Sequence, residues 1–71
     1  MNEIAIRTDY IPLGQFLKLA GCIDTGGAAK FFLEEAVVLI NGEADNRRGR
    51  KLYPGDTVDI KGSGVFTVVK R

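Results

Sequence analysis

The hydrophobic residues of this chain follow a helical period twice in its first half. After Pro12, and again after Gly26-Gly27, apolar residues recur at positions i, i+3, i+4 and i+7, which is the spacing of one helical face. The positions are Leu13, Phe16, Leu17 and Ala20, then Ala29, Phe32, Leu33 and Ala36. The spacing predicts two short amphipathic helices. Pro12 suits the start of the first and Gly21 its end, and Asp24 or Thr25 is expected to cap the second.

The segments around these helices follow the pattern of β-strands. Ile4 and Ile6 alternate with polar or small residues, and residues 37–40, 57–60 and 65–69 are rich in β-branched side chains. Asn41-Gly42 predicts a tight hairpin, because both residues tolerate positive φ, and the return strand is expected to begin at Glu43. Residues 53–56, Tyr-Pro-Gly-Asp, predict a turn before the strand at 57–60.

These elements predict an α+β fold, in which two short helices pack on one face of a small, mostly antiparallel β-sheet. The chain has 71 residues, so we expect one domain over residues 1–71 with a small core. The expected core consists of Ile6, Leu13, Phe16, Leu17, Phe32, Leu33, Val38, Ile40, Leu52, Val58, Ile60 and Val68.

The composition fits a folded protein without membrane segments. Hydrophobic residues make up 45% of the chain and charged residues 27%, which argues against disorder. No apolar run approaches the roughly 20 residues that span a bilayer, and the first residues lack a signal-peptide pattern. One cysteine, Cys22, excludes an internal disulfide framework. We therefore expect a cytoplasmic monomer with no membrane partner.

Catalysis has no evident residues in this sequence. Histidine, the commonest general base and metal ligand, is absent, and Cys22 therefore has no histidine partner. The carboxylates are scattered, and Glu34-Glu35 is expected to form a solvated helix face. No phosphate-binding loop, paired cysteines or calcium-loop spacing is present. We expect no enzymatic activity, cofactor, metal or small-molecule substrate.

The charge of the chain is concentrated in one short segment. The net charge is +1, but residues 1–45 carry −4, residues 46–51 carry +4 and residues 52–71 carry +1. We call residues 46–51, Asn-Arg-Arg-Gly-Arg-Lys, the basic loop. Arginine pairs with phosphate oxygens through two parallel N–H bonds, so Arg47, Arg48 and Arg50 with Lys51 could hold several phosphates. The run alone leaves three interpretations open: nucleic-acid binding, docking on an acidic protein, and a solvated loop that protects a sheet edge.

The helix pair and the hairpin together resemble a known family. Residues 38–43, Val-Leu-Ile-Asn-Gly-Glu, and the later Pro54-Gly55-Asp56 are similar to the RNA-binding domain named after the small-subunit ribosomal protein S-four, whose pattern is the αL motif. The resemblance covers about Leu13 to Ile60. Residues 13–18, residues 25–31 and the basic loop look like those of its short stand-alone bacterial members.

The resemblance implies an RNA-binding surface formed by the helix pair and the adjoining basic hairpin. It implies phosphate contacts from six cations, with two glycines beside the same surface: Lys18, Lys30, Arg47, Arg48, Arg50 and Lys51, with Gly26 and Gly27. The chain departs from the family at two places. Gly26 stands where relatives often have arginine, so the basic loop is expected to carry more of the binding. Ala36 stands where the second helix usually ends in glycine.

We therefore expect a non-catalytic protein that binds structured RNA, ribosomal RNA above all, with a role in ribosome assembly or translation. The alternative from another class is a protein-interaction module that docks its basic loop on an acidic partner. Binding of duplex DNA by the helix pair is disfavoured, because residues 26–29, Gly-Gly-Ala-Ala, offer no side chain that reads a base edge.

Overall fold

The computed structural model describes residues 2–71 and confirms the α+β class. Among these residues, two strands are followed by two helices and then by five strands, with a short 3-10 turn at Gly26–Ala28 before the second helix. The elements are β1 (Asn2–Ile6), β2 (Ile11–Pro12), α1 (Leu13–Leu19), α2 (Ala29–Glu35), β3 (Val38–Ile40), β4 (Glu43–Ala44), β5 (Lys51–Leu52), β6 (Thr57–Ile60) and β7 (Gly64–Lys70). No helix among these described residues is both long and apolar enough to cross a membrane.

The main sheet has five strands in the order β1-β7-β6-β3-β4. Three of its pairs are antiparallel and one, β1 with β7, is parallel, so the sheet is mostly antiparallel as predicted. A second, two-stranded sheet pairs β2 with β5, with Ile11 opposite Leu52 and Pro12 opposite Lys51. The sequence patterns did not predict this small sheet, which ties the start of α1 to the end of the basic loop.

The core lies between the helices and the inner face of the main sheet. Eleven of the twelve expected core residues are buried, and the exception is Phe32, which is half-buried at the edge of the cluster. The prediction for Phe32 was wrong because α2 turns a narrower face to the core, with Ala29 and Leu33 buried. Phe66, which was not among the expected core residues, is buried instead and meets Phe16 edge to face, with ring centroids 6.0 Å apart.

The C-terminus of α1 agrees with the sequence prediction, whereas the N-terminus of α2 does not. α1 stops at Gly21, whose φ of 81° gives the left-handed end that the sequence predicted. The predicted side-chain cap of α2 is wrong: Thr25 precedes the 3-10 turn without a capping bond, and its carbonyl accepts the Ala28 N–H at 3.1 Å instead. Ala36 ends α2 in an extended conformation, with φ −87° and ψ 147°, so no left-handed residue is needed there.

The Asn41-Gly42 hairpin is confirmed and is fixed by more than its own turn. Asn41 and Gly42 have φ values of 52° and 87°, the positive pair that a tight two-residue turn requires. The Asn41 side chain accepts the Thr57 N–H at 2.9 Å and donates to the Asp56 carboxylate at 3.0 Å. β3 begins at Val38; Val37, which the pattern placed in the strand, lies before it and is exposed.

Candidate nucleic-acid interface

The basic loop is seated on the N-terminus of α1. The Leu13 N–H donates to the Arg50 carbonyl and the Gly14 N–H to the Arg48 carbonyl, both at 2.8 Å. The first N–H groups of a helix have no partner within the helix, so the loop supplies one to each of these two. The return strand of the hairpin does not extend to the arginines, because β4 ends at Ala44 and the chain then turns, with the Arg50 N–H bound to the Arg47 carbonyl at 3.1 Å. Lys51, the last residue of the basic loop, begins β5.

Gly14 is the point at which α1, α2 and the basic loop meet. A Cβ atom at this buried glycine would lie 3.4 Å from the Ala29 Cβ, the Arg48 Cβ and the Arg48 carbonyl oxygen. Any larger side chain would therefore separate the loop from the helix pair. The sequence contained one signal for this role, a glycine in the first turn of a predicted helix, where it lowers helix propensity without an evident local reason.

The predicted site residues on the helices surround this meeting point. Lys30 follows Ala29 in α2, and its side chain lines one hollow together with Arg48, Leu33, Glu34 and Asn46. Lys18 lies one turn along α1 from Gly14, on the same helix face, and is exposed. Among residues 2–71, no acid forms an ion pair with any of these three cations.

Gly26 and Gly27 form the 3-10 turn directly before Ala29 and are exposed. A Cβ atom at Gly26 would meet nothing within 4 Å, and one at Gly27 would meet only the Thr25 hydroxyl at 4.0 Å. Neither glycine is required by packing within the chain. A role at the RNA surface remains a prediction for both of them.

Arg47 and Arg50 are held by one carboxylate that the sequence analysis did not single out. Asp45 accepts from the Arg47 side chain at 2.8 and 3.1 Å, from the Arg47 N–H at 2.9 Å and from the Arg50 guanidinium at 2.9 Å. Its own side chain is only 8% exposed, whereas that of Arg47 is 71% exposed. The bond to the N–H two residues on is an Asx turn, so an aspartate at this spacing was the available signal.

The ion pair between Asp45 and Arg47 shifts the pKa of each partner in the direction that favours its charged form. The Arg47 guanidinium, followed by the Arg47 backbone N–H and Arg50, holds the pKa of Asp45 far below its usual range, although burial opposes the shift. The same bond raises the pKa of Arg47. The bridge is therefore ionised throughout the physiological pH range, and the segment 45–51 carries a net charge of +3, one less than the basic loop alone.

Lys51 lies on the other side of the loop, among aromatic side chains. Its Nζ atom is 5.0 Å from the centroid of the Tyr10 ring, and the Tyr10 and Tyr53 centroids are 6.0 Å apart. Both tyrosines are exposed on the surface. Arg47, Gly49, Arg50 and Asp56 join Lys51 and Tyr53 around a second hollow.

The positive surface has a clear boundary. The hollow between the end of α2 and the hairpin is lined by four acids, Glu34, Glu35, Glu43 and Asp45, and by the two arginines that Asp45 binds, Arg47 and Arg50. Its charge makes it unsuited to a polyanion. Lys18, Lys30 and Arg48 lie on the side formed by α1, the start of α2 and the basic loop, whereas Arg47 and Arg50 also border the acidic hollow. An RNA-binding role for these cations stays a prediction.

Comparison with known proteins decides the family. The family model described as "S4 domain" matches residues 4–69, nearly the whole chain. The chain belongs to the S4 domain family. This confirms the resemblance stated from the sequence, and the fold described above, two helices and a mostly antiparallel sheet, is the one expected for an S4 domain.

Two bacterial relatives are similar along most of their length. A Bacillus subtilis (strain 168) protein described as "Probable ribosome maturation protein RlbA" is 63% identical over 68 residues, which cover 96% of each chain. An Escherichia coli (strain K12) protein described as "Putative RNA-binding protein YbcJ" is 32% identical over 59 residues, covering 83% of this S4 domain and 84% of that protein. No solved structure matches the chain.

Proposed function

We propose that this S4 domain is a non-catalytic, cytoplasmic protein that binds structured ribosomal RNA during ribosome assembly. It acts as a monomer and binds phosphates of a folded RNA through the basic loop and the adjoining helix face around Gly14. The cations that make the contacts are Lys18, Lys30, Arg47, Arg48, Arg50 and Lys51, with Gly26 and Gly27 beside them.

One observation carries this proposal: three cations from separate elements, Lys18, Lys30 and Arg48, lie around Gly14 and form no ion pair within residues 2–71. Lys30 of α2 and Arg48 of the basic loop line the same hollow, and Lys18 of α1 lies on the adjoining helix face. Glu34 also lines that hollow but forms no ion pair with either cation in the part of the chain that the structure describes. A rigid array of this kind suits phosphates at fixed spacing, and A-form RNA is recognised mainly by its shape and backbone.

The names of the two relatives support the same assignment. One is described by ribosome maturation and the other by RNA binding, and the first is similar to this chain over nearly its full length. The sequence left open an acidic protein partner as the alternative. No specific structural observation among the described residues favours it.

The salt dependence of binding tests the proposal. Affinity for a ribosomal RNA fragment should fall steeply with salt, at a logarithmic slope of about −0.7 to −0.9 for each phosphate contact. A variant with Arg47, Arg48, Arg50 and Lys51 all changed to alanine should lose most of that slope. Circular dichroism checks that this variant keeps its fold, because Asp45 loses its partners Arg47 and Arg50 in it; the helices and the main sheet should be retained, since none of the four side chains belongs to the core.

Two controls separate RNA from other partners. DNA of the same sequence should compete poorly, because the 2′-hydroxyl and the A-form shape are absent. Ribosomal particles that co-purify with the protein should be lost after nuclease treatment. Salt-independent binding, or an association with protein that survives nuclease, would contradict the proposal.

A further inference from the structure

We propose that Tyr53, flanked by Tyr10 and Lys51, is a stacking platform for an unpaired base of the bound RNA. The inference rests on the proposed function, because it assumes that the phosphates of the same strand contact the basic loop. It adds a feature that phosphate binding alone does not give, namely a preference for RNA with an unpaired nucleotide beside its helix.

The small β2–β5 sheet creates the platform. Ile11 lies opposite Leu52 and Pro12 opposite Lys51, so continuing the register by one position sets Tyr10 opposite Tyr53. Side chains alternate between the faces of a strand. Ile11 and Leu52 point into the core, and both are buried. The neighbouring side chains, Tyr10, Lys51 and Tyr53, therefore share the outer face.

These rings are held in place while remaining accessible. Tyr10 is 39% exposed and Tyr53 is 49% exposed, and their centroids lie 6.0 Å apart with the planes tilted by 45°. The backbone at Tyr53 is fixed by Asp56, whose carboxylate accepts the Tyr53 N–H at 2.7 Å and whose N–H donates to the Tyr53 carbonyl at 2.9 Å. An exposed ring on a rigid turn loses little entropy when a base stacks on it.

The surroundings of the platform select a nucleotide over an apolar ligand. Tyr53 lines one hollow with Arg47, Arg50 and Lys51, so a base on the ring would have its phosphate beside cations. Lys51 Nζ already lies over Tyr10 at 5.0 Å from its centroid, which leaves Tyr53 as the more open ring. The acid in this hollow, Asp56, is engaged by Asn41 and by the Tyr53 N–H, so its oxygens already have donors.

Two matched RNAs test the platform: a perfectly paired duplex, and the same duplex with a short single-stranded adenosine tail. Stacking of one base on an aromatic ring makes about a tenfold difference in affinity, within the range found by alanine substitution. The wild-type protein should therefore bind the tailed RNA about tenfold more tightly than the blunt duplex. Tyr53→Ala should remove this preference and leave the affinity for the blunt duplex and its salt slope unchanged.

The conservative variant and the intrinsic fluorescence give independent readouts. Tyr53→Phe should keep the preference, because phenylalanine retains the ring. The chain has two tyrosines and no tryptophan, so its fluorescence arises from Tyr10 and Tyr53. The tailed RNA should quench this emission more than the blunt duplex does at equal occupancy, a measurement that needs no variant.

The outcomes separate this inference from the proposed function. Steep salt dependence with equal affinity for the two RNAs would overturn the platform and leave the proposed function standing. If Tyr53→Ala lowered the affinity for both RNAs equally, the platform would also be overturned, since the ring would then contribute only to the fold or to phosphate binding. Failure of the wild-type protein to bind either RNA would overturn both proposals.

Discussion

Arg47 and Arg50 share the basic loop with Arg48, yet their charges have different surroundings. Asp45 binds Arg47 and Arg50 at 2.8 and 2.9 Å and forms no ion pair with Arg48. Arg48 instead faces Lys30 across a hollow and has its backbone fixed on the first turn of α1. We call the first two the braced arginines, and Arg48 with Lys30 the open cations.

The difference shows that neighbouring cations in one loop need not contribute equally to phosphate binding. A braced arginine has part of its hydrogen-bonding capacity engaged and its charge partly neutralised, whereas an open cation has both available for a phosphate. The ion pairs of Asp45 with Arg47 and Arg50 also stabilise the conformation of the loop. We infer that Asp45 and its two arginines form the frame of the basic loop, and that the open cations supply the larger share of the phosphate affinity.

The largest effect is expected from removing both open cations. Lys30→Ala combined with Arg48→Ala should weaken binding of the ribosomal RNA fragment by about 100-fold at moderate salt, because each charge-assisted contact contributes about 1.5 kcal/mol or more. The salt slope should flatten by about two contacts. Fluorescence anisotropy of labelled RNA at several salt concentrations measures both quantities.

The matched control is the double variant of the braced arginines, Arg47→Ala with Arg50→Ala. It removes the same formal charge, but it should weaken binding clearly less, since Asp45 already offsets part of that charge. The backbone bonds from the Leu13 and Gly14 N–H groups to the Arg50 and Arg48 carbonyls should keep Arg48 in place in this variant. Equal losses in the two double variants would show that the brace does not distinguish these cations, and the comparison would then fail.

The next largest effect should come from Gly14, whose N–H binds the Arg48 carbonyl and so positions the open Arg48. Gly14→Val must place its γ-carbons beyond a Cβ that already lies 3.4 Å from Arg48 and Ala29. Overpacking of this kind costs about 1–3 kcal/mol in the free energy of unfolding. It should also lower RNA affinity by up to about tenfold, the value of one displaced contact. Urea denaturation and RNA titration measure the two effects.

Gly14→Ala is the control for this position. Its Cβ makes ordinary contacts at 3.4 Å, and alanine favours the helix, so stability and affinity should remain near those of the wild type. A Gly14→Val protein that binds RNA normally would show that the seat of the loop on α1 is not used in binding.

The parts of the fold that were predictable are those determined by local chemistry. Asn41-Gly42 specifies its turn through the positive φ that both residues tolerate, and Gly21 ends α1 for the same reason. The wrong prediction for Phe32 shows that a local hydrophobic pattern does not by itself determine which side chains are buried. Phe16 and Phe32 occupy equivalent places in two stripes of the same spacing, yet only Phe16 is fully buried, because α1 buries more of its surface in the core than α2 does.

The candidate site was predictable as a set of cations but not as an arrangement. The charges of the basic loop and the lysines of both helices are visible in the sequence, and the family resemblance places them on one face. The contact of Gly14 with Arg48 and the pairing of Tyr10 with Tyr53 join residues more than 30 positions apart. No local pattern reports such contacts, since they arise only when β5 returns to β2.

The smallest effect is expected from changing Asp45, the partner of the braced arginines, and it concerns the free energy of unfolding. Asp45→Asn should lower the free energy of unfolding by about 1 kcal/mol at pH 7, because an amide accepts fewer and weaker bonds from the arginines. The pKa of Asp45 is depressed in the folded state, so its contribution is fully present above about pH 5 and fades as the pH falls below about 4, where the unfolded chain takes up the proton.

Urea denaturation of both proteins at pH 7 and near pH 3 measures this change. The gap between wild type and Asp45→Asn should narrow at the lower pH, whereas Asp24→Asn, at an exposed aspartate, should show no such gap at either pH. A gap that stayed constant would mean that the carboxylate is not held by charge, and the distinction between braced and open cations would lose its physical basis. A gap that narrows as expected, with RNA affinity at pH 7 little changed by Asp45→Asn, would place Asp45 in the frame of the loop and leave recognition to the open cations.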